Sequence, residues 1–206
     1  MPRSTRYPLT RELADGTAIE IRPIAPADRT ALAEGFEGLS EQSRYRRFLS
    51  PVDHLSESSL TYLTEVDHHD HEALVASDSA SGEPAGVGRF IRIAAEPKIA
   101  EVAVAVPDAW QGRGVGTALL ELLAERARDE GVETFRATCL SDNLEALHLL
   151  ESLGPERPLS SGAGVIELEV DLSSPMRAAN PLRRALREAA TGVLAFANPG
   201  SGGRRT

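Results

Sequence analysis

A glycine-rich turn between an apolar strand and a long helix constrains the fold of this chain more than any other feature. Valine alternates with alanine over residues 102–106, so both faces of the strand are apolar, which is typical of a central strand covered on both sides. Pro107 cannot donate to a sheet, so the strand is expected to end there. Apolar residues then recur at helical spacing from residue 114 to about residue 130. The pattern predicts strand, turn and helix in succession.

The turn itself contains Gly112, Gly114 and Gly116. The first N–H groups of a helix have no internal partner and lie at the positive end of its dipole, and glycines let a bound group approach the backbone closely. Together these properties suit a phosphate group. A Walker A loop is excluded because no lysine precedes Thr117, and a dinucleotide fingerprint is excluded because Thr117 replaces its third glycine. A turn without a ligand stays the alternative.

The rest of the chain predicts further elements around this unit. Strands are expected at residues 18–24, 72–77, 85–94, 99–106, 134–140 and 165–172, and helices at 26–35, 40–49, 56–63, 114–130 and 144–152. This order predicts an α/β fold with a mixed, mostly antiparallel central sheet and helices on both faces. We expect a loosely held arm at residues 1–17, one domain at residues 18–172 and a basic tail at residues 173–206, with the strand at residues 18–24 on the sheet edge.

Charge is distributed unevenly along the chain. The formal net charge of −9 argues against general nucleic-acid binding. Residues 173–206 carry +5, which leaves −14 on the remainder. An acidic body either attracts a cationic amine or only maintains solubility. Residues 181–197 are compatible with a basic amphipathic helix that packs on the body, binds a partner or touches a membrane surface, followed by a disordered end. A loosely attached tail is the alternative.

Cysteine use and hydropathy indicate the compartment. Cys139 is the only cysteine, so no internal disulfide is possible, and its mid-strand position predicts a core residue. There is no apolar run near the length of a membrane span and no signal-peptide core, so the cytoplasm is expected. Residues 67–71 read Asp-His-His-Asp-His. Because adjacent side chains point in different directions, a polar surface loop is favoured there and no metal is predicted.

Residues 111–116, Gln-Gly-Arg-Gly-Val-Gly, have the pattern Gln/Arg-x-x-Gly-x-Gly/Ala, which resembles the pyrophosphate loop of the GNAT superfamily of N-acetyltransferases. Asn143-x-x-Ala146, followed by Leu153 and Gly154, is similar to the superfamily's helix beside the pantetheine arm. The likeness covers about residues 19–172. Residues 39–49, 63–67 and 101–116 resemble bacterial protein-lysine acetyltransferases of the Pat type. The resemblance implies acetyl-CoA as cosubstrate, bound by Val104, Ala105, Val106, Gln111, Gly112, Arg113, Gly114, Val115, Gly116, Thr117, Asn143 and Ala146.

The resemblance also implies that Glu101 is the catalytic base, as in Pat-type enzymes. Roughly one lysine amine in a thousand is uncharged at neutral pH, so a carboxylate that removes the proton makes the nucleophile. A backbone N–H of Val104 or Ala105 would stabilise the thioester oxygen if this strand splays from the strand at residues 134–140. A solvent-facing glutamate at a strand end is the alternative. Leu150 stands where the superfamily often has a tyrosine general acid, so no general acid is assigned.

These features together predict an acetyl-CoA-dependent N-acetyltransferase that acts on a protein lysine side chain. The alternatives are an acetyltransferase of small amines and a non-catalytic acyl-CoA-binding sensor with the basic tail as its output. Glu101 favours an enzyme, whereas the missing tyrosine leaves the sensor open.

Overall fold

The computed structural model describes residues 7–173, in which one eight-stranded sheet carries helices on both faces. The strands are β1 Leu9–Glu12, β2 Ala18–Pro23, β3 His71–Asp78, β4 Pro84–Ile93, β5 Glu96–Ala105, β6 Thr134–Leu140, β7 Glu156–Gly162 and β8 Val165–Asp171. The helices are α1 Arg29–Glu37, α2 Glu41–Phe48, α3 Glu57–Thr64, α4 Val115–Asp129 and α5 Leu144–Leu153, with short 3-10 turns at Pro26–Asp28 and Asp108–Trp110.

The strand order is β1-β2-β3-β4-β5-β6-β8-β7. Of the neighbouring pairs, β5 with β6 is parallel, and the others are antiparallel. The α4 crossover supplies the long connection that a parallel pair requires. The expected mixed, mostly antiparallel sheet is therefore confirmed.

Helix α4 packs closely against one face of β4. Its buried side chains include Leu119 and Leu123. A Cβ on Gly88 would lie 2.8 Å from Leu123 Cδ1, and one on Gly86 would lie 3.1 Å from Leu119 Cδ1. Glycine at these two strand positions lets the helix approach the sheet, which is one reason for glycine within a strand.

The opposite face of β4 and β5 is turned towards α1 and α2. Side chains alternate along a strand, so Val87 and Arg89 face away from α4, and both line a cavity together with α1 and α2 residues. On β5, Ala103 and Ala105 line the same cavity. Glu101 follows the same alternation and lies one step before them on this face.

Two strands at the ends of the sheet differ from the sequence-based prediction. Residues 9–12 were expected in a loosely held arm but form β1, which pairs with β2, so β2 is not an edge strand. Strand β7 was not predicted, and it forms a hairpin with β8 at the other edge. The predicted basic helix at residues 181–197 and the rest of the tail lie outside the described residues. No helix within residues 7–173 has the length and apolar character needed to cross a membrane.

Candidate active site

The predicted turn forms as the sequence indicates. Strand β5 ends at Ala105, before Pro107, and Trp110 is buried in the core. Gly112 has φ +71° and Gly114 has φ +99°, a left-handed conformation that glycine adopts without steric cost. Gly114 is the N-cap of α4, and the first hydrogen bond of the helix runs from Ala118 N–H to Gly114 O at 3.0 Å.

Space is open over this turn. A Cβ on Gly112 would meet nothing within 4 Å, and one on Gly114 would meet only Leu13 Cδ2 at 4.0 Å. The N–H groups of the first α4 turn have no acceptor within the helix. An anionic phosphate therefore fits this end of α4. Gly116 has a different steric role, because a Cβ there would lie 3.1 Å from Leu149 Cδ1 of α5.

Arg113 is held by the turn between β1 and β2. Its Nε donates to Asp15 Oδ2 at 2.7 Å, its Nη2 donates to Thr17 Oγ1 at 2.6 Å, and its guanidinium lies 4.2 Å from the Trp110 ring centroid. The hydrogen bond from Thr17 N–H and that from Arg113 hold the pKa of Asp15 at about 2. Arg113 thus fastens the β1–β2 turn to the glycine turn, and Asp15 offsets its charge. A direct role in phosphate binding stays a prediction.

The other side of the turn is tied to α2. Gln111 Nε2 donates to Val106 O at 3.0 Å and to Ser43 Oγ at 3.2 Å, and Ser43 Oγ donates to Asp108 Oδ1 at 2.7 Å. These contacts fix the start of α2 against the end of β5. Ser43 and Asp108 were not among the predicted site residues. Ser43 lies within the Pat-like segment at residues 39–49, which is the only sequence signal that pointed to it.

The sheet forks at Glu101. Strands β5 and β6 pair only through Ile99↔Thr134, Ala100↔Phe135 and Glu101↔Arg136. Beyond this point β5 pairs with β4 alone and β6 pairs with β8 alone. The backbone N–H and C=O groups that point towards β6 near Val104 and Ala105 consequently have no strand partner and are available to a ligand. The expected separation of these two strands is therefore present.

A row of alternating charges crosses the sheet at the start of this fork. The pairing register places Glu101, Arg136, Glu169 and Arg157 side by side on four strands. Arg136 is engaged elsewhere: its Nη2 donates to Glu169 Oε1 at 2.7 Å and its Nη1 donates to Glu96 Oε1 at 2.9 Å. These two carboxylates raise the pKa of Arg136, with Glu96 making the larger contribution.

Glu101 is therefore left without a fixed partner. Its side chain is exposed and has no hydrogen bond or ion pair with any residue in the range 7–173. If Arg136 were not held by Glu96 and Glu169, it would be the nearest cation on the neighbouring strand. A carboxylate not tied to a neighbouring cation can rotate towards a substrate amine, which is what a general base at the fork requires.

Helix α5 begins with a side-chain cap and contains Leu150. Asn143 Oδ1 accepts from Ala146 N–H at 3.2 Å, so the Asn-x-x-Ala sequence is the N-cap of this helix. Leu150 is buried and cannot act as a general acid. Cys139 is also buried, as predicted, and burial raises the pKa of its thiol.

The histidine-rich segment forms a hydrogen-bonded loop. Asp67 Oδ1 accepts from the backbone N–H groups of His69, Asp70 and His71 at 2.9 Å each. His68 Nδ1 lies 2.7 Å from Glu72 Oε1. No group of three or more His, Cys, Asp or Glu side chains in residues 7–173 is arranged to hold a metal ion.

Known proteins share this architecture. The acetyltransferase (GNAT) family model matches residues 38–154. The chain is 34% identical over 165 residues to Acetyltransferase Pat of Mycolicibacterium smegmatis, which covers 80% of this chain and 49% of that protein. The crystal structure of the GNAT domain of S. lividans PAT matches with a TM-score of 0.73 and 35% identity, covering 80% of this chain and 96% of that one.

A cAMP-binding acyltransferase from Mycobacterium smegmatis matches with a TM-score of 0.58 and 30% identity, covering 89% of this chain and 54% of that one. The chain thus spans about half the length of both mycobacterial proteins.

Proposed function

The chain belongs to the acetyltransferase (GNAT) family, and we propose that it transfers an acetyl group from acetyl-CoA to a lysine side chain of a protein. The observation that carries this proposal is the fork between β5 and β6, which begins at Glu101 and leads along β5 to the glycine turn. The fork offers backbone groups for an extended ligand, and the turn offers a phosphate site at its end. Acetyl-CoA would need both sites, one for its pantetheine arm and one for its pyrophosphate.

We propose the following contacts between this chain and acetyl-CoA. The first-turn N–H groups of α4 would bind the pyrophosphate, with open space over Gly112 and Gly114. The β6-facing backbone groups between Val104 and Val106 would pair with the pantetheine amides. The thioester supplies an activated acetyl group, and its carbonyl oxygen would accept a hydrogen bond from the N–H of Val104 or Ala105.

In the proposed reaction Glu101 removes a proton from the lysine ammonium, directly or through water. The neutral nitrogen attacks the thioester carbon to form the new C–N bond, the nitrogen loses its second proton to water, and the C–S bond breaks. CoA leaves as a thiolate and is protonated by solvent, because Leu150 leaves no tyrosine at that position. Glu101 then returns its proton to water.

An acceptor comparison tests the proposal. Release of free CoA thiol should be measured with acetyl-CoA and a lysine-rich protein, with the same protein after its lysines are dimethylated, and with small amines. We expect release with the unmodified protein and its loss after dimethylation, with acetyl-lysine found by mass spectrometry. Release with small amines alone would favour the small-molecule alternative. Calorimetric binding of acetyl-CoA without release in any arm would favour the sensor.

A further inference from the structure

A cavity of about 120 Å³ lies between the sheet and the helices α1 and α2. Most of its wall is apolar and includes Phe36, Phe48, Val87 and Ala105. Its charged lining consists of Arg22, Asp28, Arg47 and Arg89, which gives a formal charge of +2 within a molecule whose net charge is −9. The positive character is thus local, and the molecule's overall charge does not explain it.

Asp28, the single carboxylate among the described residues that line this cavity, is already paired with Arg22. Asp28 receives two hydrogen bonds from Arg22, at 2.6 and 2.7 Å, and one from Ala25 N–H at 2.8 Å. Arg22 is the largest cause of the lowered pKa of Asp28. This pair leaves the charges of Arg47 and Arg89 without compensation from the cavity wall.

Arg89 is 5% exposed, and its hydrogen bonds among residues 7–173 are to neutral groups. Its Nη1 lies 3.2 Å from Leu63 O and 3.1 Å from His71 Nε2. Burial, and after it the charge of Arg47, lowers the pKa of Arg89 to about 10. Both guanidinium groups line the same cavity.

Arg47 differs from the other arginines of α2. Arg44 donates to three backbone carbonyls, and Arg46 lies 3.8 Å from Glu145. Arg47 has no hydrogen bond or ion pair within residues 7–173, and its guanidinium lies 5.0 Å from the Phe48 ring centroid. Burial lowers its pKa as well. A partly buried guanidinium with no carboxylate destabilises a fold, so packing alone gives no reason for it.

We propose that Arg47 and Arg89 form a subsite that binds a carboxylate carried by one of the two substrates. A guanidinium is the side chain best suited to bind a carboxylate, and the apolar wall would hold the short chain attached to it. That the carboxylate belongs to a substrate of acyl transfer rests on the proposed function, whereas carboxylate binding by the cavity does not.

The cavity lies beside the proposed reaction centre. Ala103 lines it, and Ala103 is two residues from Glu101 on the same strand and the same face, a distance of roughly 7 Å. A carboxylate in the cavity could therefore belong to the acyl group, as in succinyl-CoA, or to an amine acceptor with a nearby carboxylate. With succinyl-CoA the bonds formed and broken are those of acetyl transfer, and the distal carboxylate is unchanged.

Arg47→Met is the variant of choice because it removes the charge, keeps an unbranched side chain and breaks no hydrogen bond of the described fold. Arg46→Met is its matched control on the same helix, outside the cavity. Without ligand, we expect the thermal midpoint of Arg47→Met to rise and that of Arg46→Met to stay or fall. A lower midpoint for Arg47→Met alone would show that Arg47 is structural and would overturn the proposal.

Three comparisons of ligands with and without a carboxylate test which substrate carries it. Calorimetry compares succinyl-CoA with acetyl-CoA, initial rates compare carboxylate-bearing amines with their carboxamides, and thermal shifts compare free succinate with succinamide. We expect a preference of roughly tenfold or more for the carboxylate in the first or second arm. That preference should vanish in Arg47→Met and persist in Arg46→Met, with acetyl-CoA affinity unchanged.

The arm that shows the preference identifies the source of the carboxylate. If no form of CoA binds, the proposed function fails, and the succinate arm decides the subsite alone. Absence of a carboxylate preference in every arm, or its survival in Arg47→Met, overturns the subsite.

Discussion

At the residue scale, the environment of Glu101 depends on what its neighbour Arg136 does. Glu96 and Glu169 take the hydrogen bonds of Arg136 that would otherwise be available to Glu101. Glu101 is exposed at the point where β5 and β6 separate. The proposed role as general base requires an accessible carboxylate that is not committed to another group, and the exposed side chain of Glu101 is compatible with that role.

Glu101→Gln should consequently lower the acetyl-transfer rate by about 10²–10⁴, the span usually found on loss of a general base. Affinity for acetyl-CoA should change little, because the proposed contacts lie further along, from Val104 to Thr117. Part of the loss should recover at high pH, where more of the acceptor lysine is neutral.

The matched control is Glu83→Gln, the same change on an exposed side chain in the β3–β4 turn. Steady-state thiol release and calorimetry measure the two effects separately. Equal rates for Glu101→Gln and the parent near pH 7 would show that Glu101 is only an exposed residue of the strand.

At the element scale, the buried centre of the fold was predictable and its edges were not. Strands β5 and β6 and helix α4 bury apolar side chains at regular spacing, which is the signal that sequence patterns carry best. All seven residues of β7 are exposed, so it has no apolar pattern to detect. Strand β1 is short and half exposed, and it forms because β2 offers an edge to pair with.

The site divides in the same way. The glycine turn is encoded locally, because Gly112 and Gly114 adopt φ values that favour glycine. The fork depends on tertiary packing, since the sequence of β5 does not indicate the residue at which its pairing with β6 ends. The basic run in α2 resembles an exposed helix face. Only packing shows that Arg47 has no hydrogen bond or ion pair within residues 7–173, whereas Arg44 and Arg46 have polar partners.

The joint between α5 and β8 gives a stability prediction. A Cβ on Gly154 would lie 2.2 Å from Asp171 O, which is backbone and cannot move aside cheaply. Gly154 has φ 173°, an extended value open to any residue, so the obstacle is steric. Gly154→Ala should destabilise the fold by about 1–3 kcal/mol. Gly162→Ala, where a Cβ would meet nothing within 4 Å, is the control and should be near neutral. Urea unfolding measures both, and similar midpoints would contradict the close approach.

At the scale of the whole molecule, pH acts on stability through groups whose protonation differs between the folded and unfolded chain. Hydrogen bonds and arginine partners lower the pKa of several carboxyl groups in the folded chain. The stability that these groups contribute is lost only as pH falls below the ordinary carboxyl pKa. These are Asp15, Asp28, Asp67, Asp78, Asp108 and Glu169. Burial raises the pKa of Glu121 and Glu156, which act with the opposite sign.

His71 affects stability at a higher pH than the carboxyl groups whose pKa is lowered. Burial, and after it the charge of Arg89, lowers the pKa of His71 from 6.5 to about 4. Its Nε2 is the acceptor for Arg89 Nη1 at 3.1 Å, because a guanidinium only donates, so the folded ring is neutral with its proton on Nδ1. In the unfolded chain the ring takes up a proton near pH 6.5. The unfolded state therefore binds more protons between these two values, and stability falls as pH falls from about 6.5 towards 4.

We expect this loss to be on the order of 1–3 kcal/mol over that window, since one pKa unit corresponds to about 1.4 kcal/mol. His71→Gln keeps an acceptor for Arg89 but does not titrate, so its free energy of unfolding should depend less on pH, even if it is lower at pH 7. His54→Gln, at an exposed position, is the control and should keep the parental slope. Urea unfolding of the three proteins at pH 7, 6 and 5 gives the slopes. If His71→Gln loses stability with falling pH as steeply as the parent, the acid sensitivity arises elsewhere and the neutral His71–Arg89 contact is not its cause.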